Sequence, residues 1–299
     1  MLRQLILAAA DSPRIQRFVG KYGMRLGAAR FVAGETLDEA VVTLRRLNGQ
    51  GLRTNTTLLG EHVKDRGEAE AVVETYEEIL RRIAAESVQT NVALKLTHLG
   101  VALDEELAYE NVERLVARAA SLDNFIRIDM EDSPLVDVTL RIYRRLREAG
   151  HDNVGTVLQA YLYRTEQDLE SLLPLRPNLR IVKGAYKEPE DVAYPKKADV
   201  DAAYRRLVER SIAESAFTAV ATHDEQMIDH ALALDPGPER MELQMLYGVR
   251  TQLQLDLVAR GQRVLCAAPY GPDWYPYLMR RLAERPANLA FFVKNALEN

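Results

Sequence analysis

Two short stretches concentrate the residues best able to do chemistry. In Arg180-Ile181-Val182-Lys183-Gly184-Ala185-Tyr186, one cation enters an apolar run and a second leaves it, directly before a glycine. Two cations converging on one strand end repel unless an electron-rich or anionic group lies between them, and Gly184 lets backbone approach a ligand closely. An ion-paired strand end beside Asp129 fits the same spacing. In Tyr277-Leu278-Met279-Arg280-Arg281-Leu282-Ala283-Glu284, residues Tyr277, Arg280, Arg281 and Glu284 fall at i, i+3, i+4 and i+7 and share a helix face. Paired guanidiniums there match the two oxygens of a carboxylate, with Glu284 one turn away to orient them. The alternative is a solvated ion-pair face. Against it stands the aromatic loop Pro269-Tyr270-Gly271-Pro272-Asp273-Trp274-Tyr275-Pro276 that leads into the helix.

Three lesser candidates stand at predicted strand ends. Lys95 suits either a Schiff base, as in barrel aldolases, or a pair with a carboxylate. Asp129-Met130-Glu131-Asp132 is acidic but contiguous, and no H-x-H or H-E-x-x-H pattern accompanies it, so no metal is expected. Of five histidines, only His223 in Ala221-Thr222-His223-Asp224 ends a strand, where a structural role is as good a reading as a functional one.

Elements that could position these residues follow from residue 52 onward, where short apolar or β-branched runs alternate with helical periodicity. The strand candidates are Leu52–Leu58, Asn91–Leu96, Phe125–Asp129, Val154–Gln159, Leu179–Lys183, Phe217–Ala221, Glu242–Leu246 and Arg263–Pro269. Segments Glu68–Ala85, Asp104–Ala120, Pro134–Ala149 and Asp199–Ala213 carry apolar residues at helical spacing between them. Eight such units predict an α/β fold, a closed (βα)8 TIM barrel. The only G-x-G, Gly49-Gln50-Gly51, lacks the third glycine of a dinucleotide fingerprint. Residues 1–50 are expected to form two extra helices packed on the barrel, with Leu37, Val41, Leu44 and Leu47 as an apolar stripe, and residues 51–299 the barrel. Barrel sites lie at the carboxyl ends of strands. That rule selects Glu61, Lys95, Asp129, Gln159, Arg180, Lys183, Thr222, His223 and Gln244.

The bulk numbers bound what else the chain can do. With 39 Lys+Arg against 44 Asp+Glu, a net charge of −5 and no long basic run, a nucleic-acid partner is not expected. The only cysteine, Cys266, excludes an internal disulfide, fits a cytoplasmic protein and is read as strand packing. The apolar start Met1–Asp11 reads as an amphipathic helix. No uninterrupted apolar run reaches the ~18 residues needed to span a bilayer, which leaves only peripheral membrane contact open.

At these residues the chain resembles the proline dehydrogenases, both the monofunctional bacterial enzymes and the matching domain of the bifunctional proline-utilisation flavoproteins. The resemblance runs over roughly residues 50–295. It is carried, in family order, by Leu59-Gly60-Glu61, Leu94-Lys95-Leu96, Ile128-Asp129-Met130-Glu131, Gln159-Ala160-Tyr161, Arg180 to Tyr186, Ala221-Thr222-His223, Glu242 to Gly248 and Tyr277 to Glu284. It implies a distorted barrel that holds FAD at its strand ends, with the last helix over the mouth. It also implies that Arg280 and Arg281 hold the proline carboxylate, that Glu284 supports them, that Lys95 and Tyr277 share the pocket, and that Leu246 packs on the ring. Asp129 and Arg180 would form the catalytic ionic pair, with Arg180 toward flavin N5. Met130, Gln159, Lys183, Gly184, Ala185, Thr222 and His223 would complete the cofactor contacts.

The implied reaction is hydride transfer from proline C5 to flavin N5, giving Δ1-pyrroline-5-carboxylate, the first step of proline catabolism to glutamate. A quinone takes the electrons, and a separate pyrroline-5-carboxylate dehydrogenase performs the next step. No residue of the set is an obvious base for the substrate amine. The chain departs from the family in Cys266-Ala267-Ala268-Pro269, where Ala267 stands in place of a frequent Tyr, which predicts a wider pocket that tolerates 4-hydroxyproline. The rival readings are a lysine-dependent lyase using Lys95 or Lys183, and a barrel that binds an amino acid without catalysis.

Overall fold

In a computed structural model, the backbone is described for residues 28–284 and the side chains for residues 28–279. The apolar start Met1–Asp11 and the side chains of Arg280, Arg281 and Glu284 lie outside the described residues. Eight parallel strands close on themselves in chain order: β1 (Arg53–Thr56), β2 (Thr90–Leu94), β3 (Ile126–Ile128), β4 (Val154–Gln159), β5 (Asn178–Val182), β6 (Phe217–Ala221), β7 (Met241–Leu246) and β8 (Val264–Ala267). Closure comes from β8 pairing with β1, with Asn55 opposite Ala267. All eight predicted strands are present.

Several strands are shorter than the apolar runs that announced them. Beyond Thr56 the chain leaves the ladder and keeps only an isolated bridge from Leu58 to Tyr270, and beyond Leu94 it turns into a short 3₁₀ segment, Leu96–Leu99.

The helices are α1 (Leu37–Gly49), α2 (Arg66–Ala85), α3 (Glu105–Ala120), α4 (Val136–Glu148), α5 (Thr165–Leu172), α6 (Lys197–Glu214), α7 (Glu225–Ala233), α8 (Thr251–Ala259) and α9 (Trp274–Glu284). Their starts are written in side chains that accept orphan backbone N–H groups. Thr36 and Glu39 form a reciprocal capping box on α1, Asp65 accepts from Glu68 N at 2.9 Å on α2, and Asp104 accepts from Leu107 N at 3.0 Å on α3. α1 buries Ala40, Val41, Leu44 and Leu47, the stripe expected of it. No helix among the described residues is long and apolar enough to cross a membrane.

Helix faces and outward strand residues make the main core, where Leu80, Leu115, Tyr143 and Tyr204 meet Val92, Ile126, Leu158 and Val220. Cys266 lies in this layer. Burial pushes its thiol up to about 12, so it packs as a small apolar residue. A second cluster holds α9. Leu278, Met279 and Trp274 pack with Ala28, Phe31, Val32, Leu59 and Val249, and with partly buried Leu246 and Tyr277. Leu59, Leu246 and Val249 stand at or after the carboxyl ends of β1 and β7, so the last helix rests on the barrel mouth and not on the flank of β8.

Candidate active site

Barrel interiors are filled in layers of four side chains drawn from alternate strands, usually Val, Ile or Leu. Here one layer is polar. Asn55 on β1, Asp129 just after β3, Arg180 on β5 and Gln244 on β7 meet around the Arg180 guanidinium. Its Nη1 donates to Asp129 Oδ1 at 2.7 Å, its Nε to Gln244 Oε1 at 2.5 Å and its Nη2 to Asn55 Oδ1 at 3.4 Å. Arg180 is 9% exposed, so this is a charge held close under the mouth by one carboxylate and two amides.

Lys183 is placed differently from the expectation that two cations converge. Strand side chains alternate, so residues three apart face opposite sides. Arg180 enters the barrel, while Lys183 turns toward α6 and α7, donating to Asp201 Oδ1 at 2.5 Å and Asp224 Oδ2 at 2.8 Å. The hydrogen bond from Lys183 holds the Asp224 carboxyl below its usual range. Burial pushes Asp201 the other way, but hydrogen bonds from Lys183 and Lys197 outweigh it and lower that carboxyl too.

The acidic cluster separates too, because β3 ends at Ile128 and the chain beyond it no longer keeps strand alternation. Asp129 serves Arg180. Glu131 turns back to the 3₁₀ segment after β2, accepting from Thr97 N at 3.0 Å and from the Thr97 hydroxyl at 2.6 Å. Burial raises the Glu131 carboxyl above its ordinary value. Among the described residues, no group of three or more His, Cys, Asp or Glu could hold a metal.

At the rim, Lys95 is paired with Glu61 from the loop after β1. Both candidate Schiff-base lysines are therefore engaged by carboxylates, the opposite of the apolar setting such chemistry uses. Next to Lys95, burial drives His98 down to about 4, with the Lys95 charge adding to the effect. Gly184 has φ +114°, and a Cβ there would overlap the Tyr161 ring, so backbone and aromatic ring touch directly at the end of β5.

Other predicted residues gather at the same ends. Gln159 is buried and donates Nε2 to Glu131 O at 2.8 Å, which ties β4 to the loop that carries Met130. Thr222 Oγ1 accepts from Asp224 N at 3.1 Å, and His223 Nε2 accepts from Leu246 N at 3.1 Å. Ala185 is exposed beside Gly184. Ala267 is half-buried and registers with Leu246 across β7 and β8. Tyr277 stands on α9 in the cluster that covers the mouth, on the same helix as Arg280, Arg281 and Glu284.

Sequence reading missed Asn55, His98 and the link through Glu188. That residue lies in the loop after β5 and accepts from Ser133 N at 2.7 Å and the Ser133 hydroxyl at 2.6 Å, bridging to the loop after β3. Asn55 had a signal: it is an inward-parity polar residue in a strand whose inward positions ordinarily carry aliphatic side chains.

Comparison with known proteins gives a consistent result. Residues 40–294 match the family model described as proline dehydrogenase. Proline dehydrogenase 1 of Bacillus subtilis subsp. natto is 41% identical over 302 residues, covering 100% of both chains. The proline dehydrogenase of Deinococcus radiodurans is 42% identical over 306 residues, covering 100% of this chain and 98% of that one. Proline utilization A from Bdellovibrio bacteriovorus, solved after inactivation by N-propargylglycine, superimposes with a TM-score of 0.81 at 24% identity. This likeness, one of fold, covers 89% of the present chain and 33% of that longer protein.

Proposed function

The chain belongs to the proline dehydrogenase family, and from that premise we propose that it oxidises L-proline to Δ1-pyrroline-5-carboxylate with FAD as the resident cofactor. The observation that carries this reading is the polar layer centred on Arg180. A guanidinium held under a barrel mouth by Asp129, Gln244 and Asn55 is a fixed positive charge placed before any ligand arrives. Such preorganised charge suits a ring system that becomes more electron-rich during reaction.

The remaining donors fit the same group. The bare Gly184 backbone and exposed Ala185 offer close main-chain approach, and Gln159, Thr222, His223 and the Met130 backbone line the adjoining strand ends. Lys183, held by Asp201 and Asp224, serves the site chiefly by fixing the end of β5 against α6 and α7. Bound FAD would supply the two-electron acceptor that takes hydride from proline C5.

Around the substrate, the chain supplies position and charge balance. Arg280 and Arg281 clamp the carboxylate by their planar forks, and Glu284 orients them. Lys95, Tyr277, Leu246 and Ala267 shape the pocket, and Asp129 balances Arg180. The helix across the mouth excludes water. None of the residues assigned to the site is an obvious base for the amine, so proline enters productively as its neutral amine. A quinone reoxidises the cofactor, with peripheral membrane contact as the meeting point, and a separate dehydrogenase takes the product onward.

The test is direct. Purified protein should be yellow with flavin absorbance, and proline added without oxygen should bleach it. A colourless protein that takes up no FAD would overturn the proposal, and covalent trapping by borohydride with substrate would favour a lysine-dependent lyase instead.

A further inference from the structure

One chain of hydrogen bonds runs without a break from the barrel floor to the mouth. Arg263 Nε donates to Glu242 Oε2 at 2.9 Å, Gln244 Nε2 donates to Glu242 Oε1 at 2.7 Å, and Arg180 Nε donates to Gln244 Oε1 at 2.5 Å. Glu242 and Gln244 sit two residues apart on β7, so both face the interior, one layer above the other. Glu242 is 4% exposed.

The two ends of a side-chain amide have nearly the same shape, so packing alone does not decide which end faces Arg180. Charge does. A carboxylate accepts only, so Glu242 takes the NH2 end of Gln244 and leaves the oxygen for Arg180. A reversed amide would set two acceptors together at Glu242 and two donors together at Arg180. Asn55, at 3.4 Å, is the more distant of the two amide acceptors and does not replace this contact. We propose that Glu242 is a positioning residue for Arg180, acting through Gln244 by fixing the polarity of its amide. The inference rests on the reading of Arg180 as the flavin-facing cation.

The discriminating variants are Glu242→Gln and the exchange Glu242→Gln/Gln244→Glu. In the single variant Arg263 claims the one carbonyl oxygen. The new NH2 then faces Gln244, and the relay runs backwards, with an NH2 against Arg180. The exchange variant keeps the net charge and again presents an oxygen to Arg180. The primary readout, on FAD-loaded protein, is the 15N–1H resonance of Arg180 Nε, assigned by its loss in Arg180→Lys. The others are the flavin midpoint potential and the rate of flavin reduction at saturating proline.

The single variant should shift or broaden the resonance, lower the potential and slow flavin reduction about tenfold, with proline KM changed less than about twofold. The exchange variant should return the resonance. An unchanged resonance in Glu242→Gln, or an exchange variant no better than the single one, overturns the proposal. A shifted resonance with unchanged potential and rate supports the positioning role and instead overturns the flavin-facing reading of Arg180. Where the single variant does not fold, the exchange variant decides alone: the Arg180 resonance in place supports the relay, and its absence overturns it.

Discussion

At the floor of the barrel, Arg127 is enclosed by neutral partners. It donates to Thr156 O at 3.1 Å, Asn178 O at 2.8 Å and Asn178 Oδ1 at 2.6 Å, and lies over the Phe125 ring at 4.9 Å. Gly155 makes this possible, since a Cβ there would collide with the guanidinium. At the mouth, Arg180 donates to a carboxylate from the loop after β3 and to two amides, one on β1 and one on β7. The floor also holds a cavity of about 700 Å³, lined by Arg53, Arg127, Glu242 and Arg263 among others. Yet it opens at the amino ends of the strands, where barrels place stability and not catalysis. The kind of partner each arginine has, and the loops that surround it, choose the carboxyl end.

The sharpest way to break this contrast is to remove each arginine in turn. Arg180→Met should lower kcat/KM by roughly 10²- to 10³-fold, the cost of losing a preorganised charge at a reacting centre, and should lower the denaturation midpoint as well, since Asp129 and two buried amide oxygens lose their donor. Arg127→Met should cost stability alone, about 2–4 kcal/mol from leaving buried carbonyls without donors, while activity per folded molecule stays within about twofold. Urea denaturation and steady-state kinetics on both proteins check it, and equal activity losses would erase the distinction.

A smaller effect uses pH, because the mouth holds a histidine and the lining of the floor cavity holds none. His98 is held at about 4 against an ordinary 6.5. Above the ordinary value both folded and unfolded chains carry it neutral, and it contributes nothing. As pH falls from 6.5 toward 4, the unfolded chain takes up a proton that the folded one refuses, and stability falls by up to about 3 kcal/mol. Urea midpoints measured across that window should flatten in His98→Asn and keep their slope in Arg127→Met. An unchanged slope in His98→Asn would mean that other groups drive the acid loss.

The smallest expected change is in selectivity. Ala267→Tyr fills the rim beside Leu246 and should shift the preference between proline and 4-hydroxyproline about three- to tenfold. If neither the preference nor the proline KM moves, Ala267 does not line the pocket.

The mouth was more legible in the sequence than the floor. Alternating apolar runs and helical stretches announced all eight strands, and charged residues at strand ends stood out because aliphatic ones are expected there. Asn55, Arg127 and Glu242 were harder to read. Asn55 and Arg127 each reach a residue of β5, which is not a neighbour of their own strands, and which residues meet across a barrel depends on how the closed sheet is staggered, a property of the whole ring. The divergence of Arg180 from Lys183 was readable in principle, since it follows from strand alternation. What needed the structure was that Asp201 on α6 and Asp224, which caps α7, stand ready to take Lys183.

The fastening of α9 bears on how the protein is made. Ala33 N donates to Pro269 O at 2.7 Å, Gly271 N to Gly34 O at 3.1 Å, and Trp274 Nε1 to Glu35 Oε1 at 2.8 Å, joining residues up to 239 positions apart. On the ribosome these partners cannot meet until nearly all of the chain has emerged. Until β8 arrives, the growing sheet carries two unpaired edges and an uncovered apolar mouth, the surfaces most prone to mispairing. The mouth is thus closed over late, and a nascent chain stalled before residue 264 would be an open sheet suited to chaperone binding and unable to hold the Arg180 layer under α9.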